Sequence, residues 1–154
     1  MTRSTAFIIG AALLASVASA QQPASATTMP AAAPAAAPAA AHAEVYLIAP
    51  RDGAHVHGPV TVRFGLKGLG IAPAGVKFDN TGHHHLLVDT DIADVKLDAP
   101  LPATDKILHF GKGQTETELK LAPGKHTLQL VFADYLHVPL QPTLASKQIT
   151  ITVD

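Results

Sequence analysis

Three consecutive histidines, His83-His84-His85, stand in a chain that carries nine histidines among 154 residues. Imidazole is the commonest protein metal ligand, and its unperturbed titration falls near neutrality. The triplet lies in Asn80-Thr81-Gly82-His83-His84-His85-Leu86-Leu87-Val88-Asp89 and runs directly into an apolar, β-branched stretch. That context places it on a folded strand rather than in a flexible tail. Two further histidines stand at turn-like positions: His109 before Gly111-Lys112-Gly113, and His137 inside Asp134-Tyr135-Leu136-His137-Val138-Pro139. The chain has no cysteine, and its last methionine is Met29, so thiolate and thioether ligation are closed to the folded part. An all-imidazole set suits Zn(II), Cu(II) or Ni(II), with Cu(II) first in intrinsic affinity.

Covalent catalysis has a poor inventory. Beyond the Ala/Pro-rich N-terminal stretch the sole serine is Ser146, without the glycine elbow that would expose a nucleophile. Neither an HExxH zinc-protease motif nor a phosphate-cradling glycine loop is present. Hydrolysis by metal-bound water would need an open coordination position and a substrate cleft, for which a domain of this size has little room. No residue is assigned a catalytic role, and the chain is read as a non-enzyme. Asp89-Thr90-Asp91, Asp94 and Asp98 lack the register of a calcium loop and read as a solvated acidic loop.

The elements that must position the histidines read as strands. Val60, Val62, Phe64 and Leu66 alternate with Thr61, Arg63, Gly65 and Lys67, the pattern of a half-buried strand. Leu128, Leu130 and Phe132 repeat it, as do Ile149, Ile151 and Val153. Turn signals at Pro50-Arg51-Asp52-Gly53, Gly111-Lys112-Gly113 and Ala122-Pro123-Gly124 divide the segments. Seven strands are predicted, at residues 45–49, 59–67, 83–90, 106–110, 115–121, 125–133 and 147–153. They imply an all-β, immunoglobulin- or fibronectin-like β-sandwich.

In such a fold successive strands run up and down, so alternate loops gather at one end. His83 to His85 begin the third strand, His109 closes the fourth, and His137 lies between the sixth and seventh. All five are expected at the same end, while His55, His57 and His126 fall at the other. Alternation gives His84 the face of Leu86 and Val88, pointing inward. It leaves His83 and His85 as an outward pair, about 6.5–7 Å apart along the strand. The candidate metal ligands are therefore His83, His85, His109 and His137, with His84, Asp134 and Glu116 as possible supporting residues around them. His55-Val56-His57, with His126 near it, is an alternative second site or an ordinary exposed turn.

The N-terminus reads as a secretory signal over residues 1–20. Arg3 is followed by an apolar run from Phe7 to Leu14 and by Ala18-Ser19-Ala20, a small-x-small cleavage pattern. The run is too short to span a bilayer. Residues 21–43 are nearly all Ala and Pro, the composition of a disordered spacer. The folded domain is set at 44–154, giving a periplasmic or secreted protein with no membrane span after signal cleavage. A formal net charge of −1 and the absence of tryptophan give nucleic-acid binding no support. The expected partners are a metal ion and an unidentified envelope protein.

Several stretches together resemble a bacterial exported family, the domain of unknown function 4399. They are Pro50-Arg51-Asp52-Gly53, Pro59 through Leu66, Ala72-Pro73-Ala74-Gly75-Val76, Asn80 through Asp89, His109 through Glu116, Gly124 through Leu130, and Asp134 through Pro139. The resemblance covers nearly the whole folded unit and implies no settled activity. Its pattern often carries a further histidine just after the proline, where this chain has Leu140. The fold is also similar to periplasmic copper-binding sandwiches. Some of those use a free N-terminal histidine, a mode closed here because Gln21 would begin the mature chain. The sequence thus supports a Cu(II)- or Zn(II)-binding β-sandwich acting in metal handling. The alternative is a structural or protein-interaction module whose histidines are polar mortar.

Overall fold

The computed structural model describes residues 42–154. The predicted signal peptide, and the spacer as far as residue 41, lie outside the described residues. Nine strands follow: β1 (Glu44–Ala49), β2 (His55–Val56), β3 (Val60–Lys67), β4 (Gly70–Ile71), β5 (Thr81–Val88), β6 (Ile107–His109), β7 (Glu116–Leu119), β8 (Gly124–Ala133) and β9 (Ile149–Val153). They form a β-sandwich. One sheet has the order β1-β3-β7, and the other runs β2-β9-β8-β5-β4 with β6 also paired to β5. All seven predicted strands appear among these nine, and the two-residue strands β2 and β4 are additions. The fourth predicted strand, the three-residue β6, pairs with the third, β5, across His85–His109, Leu86–Leu108 and Leu87–Ile107. That pairing is what brings His109 beside the triplet.

Strand alternation builds the core between the sheets. Val60, Val62 and Phe64 from β3 meet Leu86 and Val88 from β5, Leu128, Leu130 and Phe132 from β8, and Ile149, Ile151 and Val153 from β9. Side chains on one face of a strand recur every second residue, so each of these runs faces the opposite sheet. The alternate residues of β5 and β8 form a second, smaller apolar layer on the outer face. Leu87, Leu101, Ile107 and Val131 pack there, with Ile92, Val95 and Ala145 against them. The segment between β5 and β6 therefore lies over the sheet as a cover. A 3-10 turn at Ile92–Asp94 sits within it, capped by Asp91, whose carboxylate accepts the Ala93 N–H at 2.9 Å.

Packing on this outer face, where the rings of His109 and His137 lie against His83 and His85, corrects one expectation. His83 and His85 do share the face away from the main core, but they are not exposed: both are 0% accessible. Alternation reports which side of a strand a residue occupies, and says nothing about a distant segment that folds over that side.

The chain after β8 contributes a second wall. β9 pairs only with residues 124–128 of β8. Beyond that point, residues 139–146 run beside β8 as irregular backbone. Leu140 N–H donates to the Phe132 carbonyl at 3.3 Å, Phe132 N–H to that of Leu144 at 2.9 Å, and Ser146 N–H to that of Leu130 at 2.9 Å. The exposed edge of β8 is thereby satisfied, and the turn holding His137 is folded back onto the outer face of β5. Among the described residues, no helix is long and apolar enough to cross a membrane.

Candidate metal centre

Four histidine rings meet on the outer face of the larger sheet. His83 and His85 stand two residues apart on β5, with ring centroids 4.9 Å apart. His109, opposite His85 in the β5–β6 register, lies 5.0 Å from His83 and 5.1 Å from His85. His137 closes the group at 4.7 Å from His109, 5.1 Å from His83 and 6.0 Å from His85. His83, His109 and His137 can each present one ring nitrogen so that all three lie within 4.8 Å of one another. His85 packs against these rings but falls outside that tighter set of three.

The cluster has no carboxylate among its members, and its polarity is unspent. Both ring nitrogens of His83 and of His85, together with Nε2 of His109, are buried without a hydrogen-bond partner. A buried polar atom left unpartnered costs about 1–3 kcal/mol, and such atoms are rare in folded proteins. Burial pushes His83 down to about 4, and the neighbouring His109 and His137 act in the same direction while Asp134 opposes it. Burial lowers His85 to about 3, with smaller contributions from His83, His109 and His137. Burial, then His137, lowers His109. His83, His85 and His109 are thus held neutral near pH 7, the state in which imidazole ligates a metal.

Local chemistry explains why the rings stay in place. His137 has φ +70°, a left-handed conformation that histidine adopts more readily than most residues but still at some cost. Asp134 stabilises that turn: its Oδ1 accepts the N–H groups of Leu136 at 2.8 Å and Val138 at 2.9 Å. From the covering segment, Leu101 N–H donates to the His137 carbonyl at 2.9 Å. His109 is held by the chain just after it. A methyl group on Gly111 would overlap the His109 ring and lie 3.0 Å from Ala74 Cβ, so only glycine lets the backbone pass this close. Gly82 has a similar function beside β8, where a Cβ would run into the Ala133 carbonyl and the Phe132 ring.

The remaining candidates lie elsewhere. His84 points into the main core, between Phe64 and Phe132 with both centroids at 5.2 Å. Burial lowers it to about 4; the Gln114 backbone pulls the other way, but it does not reach hydrogen-bonding geometry. Glu116 is not brought to the cluster. It begins β7 in the smaller sheet, where it is exposed and paired with Arg63 at 3.3 Å, because the Gly111-Lys112-Gly113 turn carries the chain across the sandwich. Leu140, at the position where the family pattern often has histidine, packs against the main core. His55 and His57 are exposed near the Asp154 carboxylate, at 3.3 and 3.9 Å. His126 does not join them. Its Nδ1 pairs with Asp89 at 2.8 Å and its Nε2 with the Ala122 carbonyl at 2.8 Å.

Two features around the centre were missed in the sequence: the covering segment of residues 90–105, which reaches the His137 turn through Leu101, and the close packing of Gly111 on His109. The first had a faint signal in the apolar residues Ile92, Val95 and Leu101 among the acidic ones. The second reads only as a turn glycine.

A family model, "Domain of unknown function (DUF4399)", matches residues 62–154. No curated protein matches the chain. Among solved structures, the chain is similar to an endo-beta-1,4-mannanase from Thermotoga petrophila at 19% identity and a TM-score of 0.42, covering 73% of this chain and 20% of that one. It is also similar to the fibronectin(III)-like modules of Clostridium thermocellum CbhA, at 15% identity and a TM-score of 0.35, covering 71% of this chain and 92% of that one. The chain thus spans about a fifth of the mannanase.

Proposed function

The chain belongs to the DUF4399 family, and we propose that its folded domain binds one transition-metal ion, copper or zinc, through clustered histidines, in metal handling outside the cytoplasm. One observation carries the reading. Three segments distant in sequence bring His83, His109 and His137 together with ring nitrogens within 4.8 Å of one another. His85 is the fourth ligand in this reading. Asp134 acts indirectly, by holding the turn that presents His137. We take the role as binding rather than catalysis, since the chain has no cysteine and the one serine of the described residues, Ser146, is tied to the Leu130 N–H and the Lys147 carbonyl. Export rests on the N-terminal pattern of Arg3, the apolar run and Ala18-Ser19-Ala20.

The test is calorimetric titration of the full tag-free chain with Cu(II) and Zn(II). One equivalent is expected to bind with Kd below about 10 μM, and His137→Ala or His109→Ala should weaken it. Metal retention unchanged in both variants would refute the reading and leave the competing one, a structural or interaction module, in which the same substitutions lower only the melting temperature.

A further inference from the structure

The centre is built for a particular charge and shape of ion. An imidazole bound through nitrogen places its ring centroid about 3.2 Å from the metal, taking a bond near 2.05 Å. Four rings at the corners of a tetrahedron then have all six centroid separations near about 5.2 Å. In a square plane four separations would be about 4.5 Å and two, across the metal, about 6.4 Å. The observed separations are 4.7, 4.9, 5.0, 5.1, 5.1 and 6.0 Å. If His85 and His137, at 6.0 Å, were opposite corners of a plane, His83 and His109 would have to be the other opposite pair. Their rings are 5.0 Å apart, short of the planar value by about 1.4 Å.

That separation cannot open freely. His83 lies on β5, which is paired to β8 on one side and to β4 and β6 on the other. His109 lies on β6, with Gly111 packed against its ring. His137 is fixed by Asp134 and Leu101. His85, whose nitrogens lie outside the tighter set of three, would reach the fourth corner by turning about its Cβ–Cγ bond, a soft torsion. The second property is charge. The ligands are four neutral imidazoles with no carboxylate among them, and His83 and His85 are fully buried. The nearby Asp134 has one carboxylate oxygen committed to two backbone N–H groups. The cost of moving an ion out of water grows as the square of its charge, so a divalent ion meets about four times the desolvation cost of a monovalent one.

Building on the metal-binding reading above, we infer that the preferred ion is Cu(I), held in near-tetrahedral coordination by His83, His85, His109 and His137. The shape disfavours Cu(II), which prefers tetragonal geometry. The larger desolvation cost of the second charge disfavours Zn(II), whose geometry would otherwise fit. Imidazole accepts copper in either oxidation state, so shape and charge make the choice.

The experiment measures three affinities on the full tag-free chain: Cu(I) by anaerobic competition with bicinchoninate, and Cu(II) and Zn(II) by competition with chromophoric chelators. Cu(I) is expected to bind at least about tenfold more tightly than either divalent ion. His85→Ala, checked for folding by circular dichroism, opens the fourth corner to water and should narrow the gap between Cu(I) and Cu(II). His137→Ala, in a partly exposed turn, serves the same purpose if the first variant does not fold. Tighter binding of Cu(II) or Zn(II) than of Cu(I) overturns the inference while leaving a metal centre in place. So does an unchanged Cu(I)-to-Cu(II) ratio in the folded variant. Failure of all three ions to bind removes the metal-binding reading itself.

Discussion

Replacing Gly111 by alanine adds one methyl group to a residue that is not itself a proposed ligand, yet it should disable the centre. The new Cβ would overlap the His109 ring and meet Ala74 Cβ at 3.0 Å. Gly111 is not at positive φ, so the substitution carries no left-handed backbone penalty and its effect comes from overlap alone. Either the ring swings away or β6 shifts, and both move the His109 nitrogens from His83 and His137. Displacing a metal-ligand support costs about 10–100-fold in affinity, or roughly 1.4–2.7 kcal/mol. Overpacking of this kind costs roughly 1–3 kcal/mol of stability, equivalent to a fall of about 4–12 °C in Tm for a domain of this size. Calorimetric titration together with thermal denaturation separates the two effects. Lys112→Ala, an exposed neighbour in the same turn, should alter neither. If Gly111→Ala binds metal as the wild type does and melts within about 1 °C of it, the close packing of Gly111 on His109 does not position the ligand, and the account of the centre fails.

Three further outcomes are expected. Burial holds His83 and His84 at about 4 and His85 at about 3, all below their ordinary value of 6.5. The unfolded chain therefore takes up protons that the folded one refuses, and the stability from these groups is full above 6.5 and lost as pH falls toward 4; urea denaturation of the metal-free chain at pH 7.5, 5.5 and 4.5 should show this fall, and a flat profile would contradict it. Asp134→Ala leaves two backbone donors without their acceptor, which should cost about 1–3 kcal/mol and weaken metal binding, whereas Asp134→Asn keeps the accepting oxygen and should restore most of both. Leu130→Ala, at 0% accessibility in the main core, should destabilise by about 3–5 kcal/mol in urea denaturation while the chain that remains folded keeps its metal affinity.

Strand identity was legible because it depends on local pattern. Val60-Thr61-Val62-Arg63-Phe64 announces one buried and one solvated face, and the same alternation assigns His84 to the side of Leu86 and His83 to the side of Leu87. That assignment agrees with the two apolar layers, one holding Leu86 and the other Leu87. The β-sandwich also followed from count and spacing, since short up-and-down strands have few ways to pack. It carried His109 and His137 to the same region as the triplet.

Three properties needed the folded chain. Whether His83 and His85 face water depends on the rings of His109 and His137 lying against them, and hydrophobic patterning on β5 cannot report what covers it. Glu116 sits only a few residues from His109 in sequence, yet the turn between them carries it to the other sheet, where Arg63 takes its carboxylate. His126 resembles its exposed neighbours His55 and His57 in sequence, but both its nitrogens are already bound, to Asp89 and Ala122.

The sequence by itself determined that the chain forms a β-sandwich, that sulfur ligands are excluded, and which face of β5 each histidine occupies, because composition and two-residue periodicity are local properties. Only the tertiary structure decided that four rings lie within 6.0 Å of one another, that those on β5 are fully buried, and that Gly111 holds one of them in place. Those are distances between segments far apart in the chain, and they are set by packing.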